Sequence, residues 1–133
     1  MKRRKYLQTM LAAGTGMAVS QMAGAAAASR PVQLHVDLAV DPAKESEMLH
    51  NFETVFRPAA SRQLGYIDVK MCKLRTTIAG KAPAGFNYRF VLVFANEELR
   101  QKWVATDTHQ KVWPTIENTL SNKNYNVLLY DAT

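Results

Sequence analysis

His35 and Asp37 stand two residues apart in the run Val32-Gln-Leu-His-Val-Asp-Leu-Ala-Val40. In an extended chain, side chains at i and i+2 share a face, so an imidazole and a carboxylate would project together. A carboxylate beside histidine can orient the ring as a general base, suited to removing a phenolic or α-carbon proton. The pair is the candidate catalytic couple; the plain alternative is a partly exposed polar pair at a sheet edge or dimer seam. Tyr66, Lys70, Arg89 and Tyr130 fall in other strand patterns at positions that would bring them to the same face, as candidate ligand contacts. Lys70 and Arg89 would hold an anionic group there, or stand as solvated strand charges. His109, in a helical stretch, is a candidate for the cavity mouth or else a packing histidine. His50 reads as solvent-facing.

No His-x-His, His-Glu-x-x-His or Cys-x-x-Cys spacing occurs among the three histidines and the single cysteine, so no metal site is expected. Cys72 cannot form an internal disulfide. Its strand setting predicts a small buried apolar side chain, not a nucleophile.

Strict alternation from Val32 to Val40 is a strand signal. Asp41-Pro42 then starts a helix, with Asp41 as cap and Pro42 in the first helical position. Met48, Leu49, Phe52, Val55 and Phe56 form its apolar stripe. Pro58 is expected to kink or end it, although residues 59–64 could continue a turn, and Gly65 closes the segment. Residues 66–76 make a second strand with Ile67, Val69 and Met71 on one face and Tyr66, Asp68, Lys70 and Cys72 on the other. Residues 77–87, with Gly80, Pro83, Gly85 and Asn87, form an irregular loop, a lid or a flexible link. A third strand, residues 88–95, is apolar on both faces and is expected to be central. Asn96 caps a second helical region, broken near Thr106-Asp107 and again at Pro114. Residues 125–130 complete the set.

The order β-α-β-β-α-β predicts an α+β, ferredoxin-like fold: a four-stranded antiparallel sheet with two helices on one face. The other face would mix His35, Asp37 and Lys70 with Val91, Val93 and Leu128. Two such faces packed together in a homodimer would cover the apolar groups and enclose a polar-lined cavity for a small molecule.

The chain has 133 residues and a formal net charge of +6. Lys2, Arg3, Arg4 and Lys5 supply four of the 17 basic residues, and no acid precedes Asp37. Residues 29–133 keep 13 basic and 11 acidic side chains, a net of +2. Nucleic-acid binding is therefore not expected. Residues 6–28 carry no charge and end in Ala25–Ala28, the pattern of a cleaved export signal. The reading is a signal at 1–28, one domain at 29–133, and a periplasmic or secreted bacterial protein that meets the membrane only during export. Retention of the segment as an anchor is the alternative.

Arg3-Arg4-Lys5-Tyr6-Leu7 resembles the twin-arginine export signal. The domain resembles the dimeric α+β barrel superfamily, within it the antibiotic biosynthesis monooxygenase-like domains, with the stress-responsive A/B barrels close behind. The resemblance rests on Val32–Val40 followed by Asp41-Pro42, on Gly65-Tyr66, and on Phe90-Val-Leu-Val-Phe-Ala-Asn-Glu-Glu-Leu99 followed by Trp103, Thr106, His109 and Val112-Trp113. Phe94 stands where such domains commonly have Trp. Trp103 stands about where they often have a helix histidine, which makes it a candidate ligand contact; core packing is the plain reading for Trp103 and Trp113. The resemblance implies cofactor-independent oxidation of polycyclic phenols, in which the substrate supplies the electrons. It leaves open an axial haem ligand at His35 or His109, for which the sequence has no motif. The alternative is a non-catalytic barrel of the cell envelope that binds a ligand or partner.

Overall fold

Alternating branched side chains put residues Val32–Leu38 into strand β1, with Val32, Val36 and Leu38 buried against the helices. The computed structural model describes residues 30–133; the export signal expected at 1–28 lies outside the described residues. After β1, the Asp41 carboxylate accepts a hydrogen bond from the Ala43 N–H at 2.9 Å. That cap opens a 3₁₀ turn, Pro42–Lys44, leading into α1, Glu45–Asn51.

Pro58 neither ends nor stops this helical run. A π-helical turn, Phe52–Phe56, precedes α2, Arg57–Ser61, and the Arg57 N–H reaches back five residues to the Phe52 carbonyl. The wider turn makes room for a proline ring that has no N–H to give. Phe52 and Phe56 remain buried, stacked at 6.3 Å between centroids. Leu49 departs from the expected stripe and is exposed.

Strand β2, Tyr66–Lys73, and strand β3, Tyr88–Phe94, follow. The Asn96 side chain accepts from the Leu99 N–H and opens α3, Glu97–Val104. Thr106 starts α4, Asp107–Val112: its Oγ1 accepts from the His109 N–H at 3.0 Å and donates to the Trp103 carbonyl at 2.7 Å. Pro114 restarts the chain as α5, Pro114–Glu117, and strand β4, Asn126–Asp131, ends it. Among the described residues no helix is long and apolar enough to cross a membrane.

The strand order is β2-β3-β1-β4, every neighbouring pair antiparallel. β1 and β3 are central, as the two apolar faces of β3 require. This is the ferredoxin-like α+β arrangement. Phe90, Leu92 and Phe94 meet Met48, Phe52, Phe56, Trp103 and Ile116 in one core.

Register corrects two expectations for β2. Tyr66 pairs with Phe94 and Asp68 with Val93, so Ile67 is an extra residue, a bulge. Tyr66 therefore turns to the helix side, edge-on to Phe94, and Ile67 is 52% exposed. Cys72 is also exposed, because its parity sends it to the face the helices leave bare.

Candidate functional site

The bare sheet face is set by cross-strand register. His35 lies opposite Val91 on one side and Leu128 on the other; Asp37 lies opposite Arg89 and Asn126. Lys70 and Cys72 on β2 oppose Val91 and Arg89. Polar and apolar groups alternate across the face, and Leu128 and Tyr130 stand 44% and 50% exposed.

His35 Nε2 donates to Gln33 Oε1 at 3.2 Å, since the amide oxygen can only accept. The other ring nitrogen, Nδ1, is buried and has no hydrogen-bond partner. In this tautomer Nδ1 carries a bare lone pair. Burial, then the neighbouring Arg89 charge, lowers the His35 pKa, with Asp37 opposing them. Burial and Arg89 both favour the neutral imidazole over the charged form. Tyr130 meets the ring edge-on, with centroids 4.9 Å apart.

Asp37 does not orient His35, which corrects the expected couple. Arg89 Nε donates to Asp37 Oδ1 at 2.8 Å, and the Asp37 side chain is only 6% exposed. A buried carboxylate takes the strongest donor in reach, and direct opposition across β1 and β3 supplies a guanidinium. That bond, ahead of the opposing effect of burial, raises the Arg89 pKa further. Gln33, the actual partner of His35, shares its face by strand parity, the signal that could have found it. Lys70 pairs with Asp68 at 3.6 Å, both well exposed. Gln33, His35, Arg89 and Tyr130 line a concavity of about 560 Å³ that ends at the C-terminus.

The other candidates lie on the far side of the sheet. Trp103 is buried in the core, edge-on to Phe56 at 5.9 Å, because α3 crosses the sheet there. His109 stacks on Trp113 at 6.5 Å and meets Trp103 edge-on at 5.0 Å. Burial first, then Arg100, lowers its pKa. His109 Nδ1 and Trp103 Nε1 are buried without partners. Trp113 Nε1 donates to the Tyr125 hydroxyl at 3.3 Å, which donates to Glu117 at 2.7 Å. The six expected ligand contacts therefore divide: Lys70, Arg89 and Tyr130 stand with His35, whereas Tyr66, Trp103 and His109 stand among the helices. Among the described residues no group of three or more His, Cys, Asp or Glu side chains is placed to hold a metal ion.

No protein-family model and no curated protein matches the sequence. Solved structures do match the fold. A proposed antibiotic biosynthesis monooxygenase from Caulobacter crescentus superposes with a TM-score of 0.64 at 15% identity, covering 82% of this chain and 95% of the other. A dimeric ferredoxin-like protein of unknown function from Jannaschia gives 0.65 at 12% identity, covering 77% and 99%. SnoaB, a cofactor-independent oxygenase from Streptomyces nogalater, gives 0.53 at 17% identity, covering 77% and 93%. At these identities the likeness is one of fold: this chain has the ferredoxin-like architecture that antibiotic biosynthesis monooxygenase-like proteins share.

Proposed function

We propose that the protein is an exported homodimer whose two bare sheet faces meet and enclose a small-molecule site, and that it oxidises a polycyclic phenol there without a cofactor. The observation that carries this reading is His35: a neutral imidazole with an unpartnered Nδ1, beside a guanidinium, on a half-apolar face. The dimeric and oxygenase neighbours in fold support it by analogy, which is a weaker warrant than the site.

A turn of the His35 ring away from Gln33 would bring the buried Nδ1 to the substrate, where it accepts the phenolic proton; Arg89 stabilises the resulting anion through the guanidinium nitrogens that Asp37 does not use. The electron-rich anion then reacts with O₂. For a methylene between two aromatic rings, two C–H bonds break, one oxygen atom enters as the carbonyl, and the other leaves as water. The substrate supplies all four electrons. Export would place this chemistry in the periplasm or outside the cell.

Oxygen uptake with an anthrone as probe tests the proposal. The wild type is expected to exceed the solution rate, and His35→Ala to lose about 10²–10⁴-fold. Equal rates for the two proteins would remove His35 from the chemistry. One observation favours a second reading, a barrel that holds a ligand without turning it over: Asp37 is committed to Arg89, so His35 has no carboxylate to orient it. Wild-type uptake no faster than solution, with a ligand co-purifying, would establish that reading instead.

A further inference from the structure

The segment between β2 and β3 builds a second concavity, of about 550 Å³, at the end of the sheet where Cys72 and Arg89 lie. Its charge is unbalanced. Lys73, Arg75, Lys81 and Arg89 line it, against the single acid Asp37. Lys73 is held by Glu45 at 2.7 Å, and Asp37 is already neutralised by Arg89. Among the described residues neither Arg75 nor Lys81 has a carboxylate within ion-pairing distance, and both are exposed. Arg89 meets Asp37 through Nε, on a side chain 43% exposed, so the bond to Asp37 leaves the terminal amino groups of its fork to other acceptors.

The same concavity has an apolar wall. Ile78 is 93% exposed and Leu74 49% exposed, with Phe86 half-buried beside them. Single exposed apolar residues are ordinary. Two of them, with the half-buried Phe86, lining one groove with uncompensated cations match a molecule with an acidic head and an apolar body. His35 does not line this groove, so the site is separable from the proton acceptor.

We propose that the groove beneath residues 74–86 binds a soluble organic monoanion: a carboxylate held by Arg75, Lys81 and the outer edge of Arg89, on an apolar body lying against Leu74, Ile78 and Phe86. A bidentate guanidinium contact and a lysine ammonium are the donors such a head requires.

Isothermal calorimetry on the full chain with octanoate and octanol tests this. Octanoate is expected to bind about tenfold more tightly than octanol, the effect of one charge-assisted contact. The double variant R75A/K81A should lose about tenfold for octanoate and nothing for octanol, whereas R75K/K81R should keep most of the affinity. Both positions are exposed, and circular dichroism checks that the variants fold. His35→Ala should leave octanoate binding unchanged, which separates this site from the proton acceptor above, with Arg89 shared between the two. No octanoate binding, equal affinity for the alcohol, or an unchanged R75A/K81A variant would overturn the proposal. So would charge-dependent binding to phosphatidylglycerol vesicles by a protein that ignores octanoate, since that would make the loop a membrane contact.

Discussion

His35 is neutral because burial and Arg89 both penalise its charged form. His109 is neutral for a parallel reason, burial with Arg100 nearby. The consequence for stability has a definite sign. Above about pH 6.5, the free histidine value, both rings are neutral folded or unfolded, and the stabilisation is fully present. As pH falls, the unfolded chain takes up protons first, so the stabilisation is lost down to the lowered folded pKa values. Urea midpoints should therefore fall between pH 7.5 and 5.5, and fall less in His109→Gln; a midpoint that rises on acidification would contradict these assignments. Arg89→Ala strands the buried Asp37 carboxylate and should cost about 1–3 kcal/mol, read from the shift in urea midpoint. At this scale the sequence placed His35, Asp37, Lys70, Arg89 and Tyr130 on one face through period two alone. It could not show that Asp37 prefers Arg89 to His35, because that choice depends on cross-strand register.

Elements were legible wherever a local signal has one meaning. Asp41-Pro42, Asn96 and Gly65 act as read. The misplacements arise where one residue more or less changes a face. The Ile67 bulge reversed Tyr66, and no local motif announces it. The π turn carries the helix past Pro58, the continuation that the sequence left open beside a kink or an end. Gly65 gives the sharpest prediction here. It holds φ at +92°, and a Cβ would stand 2.6 Å from Leu99 Cδ1 and 2.9 Å from Leu99 Cβ. Gly65→Ala should destabilise by about 1–3 kcal/mol from overpacking, with backbone strain in addition. Thermal unfolding checks it: each kcal/mol should lower Tm by about 4–8 °C in a domain of this size. An unchanged Tm would mean that the α2–β2 corner relaxes freely.

On the scale of the whole molecule, the helices cover one side of the sheet and leave the other mixed. Val91 and Val93 are half-buried there, and β4 is exposed along its length, Val127 through Tyr130 included. A second copy facing the first would cover these groups and surround His35 and Arg89 at once. In the proposed reaction that enclosure would let the imidazole work as a base away from water, so the proposed oxidation depends on it. The order of elements was enough to give the sheet, yet not the partner, because the same βαββαβ order serves many surfaces. Light scattering on the chromatographed protein, wild type beside Val91→Lys, tests the arrangement most directly. A dimer is expected for the wild type and a monomer for the variant, whose lysine would sit opposite His35 in the seam. A monomeric wild type, or a dimer indifferent to Val91→Lys, would contradict it.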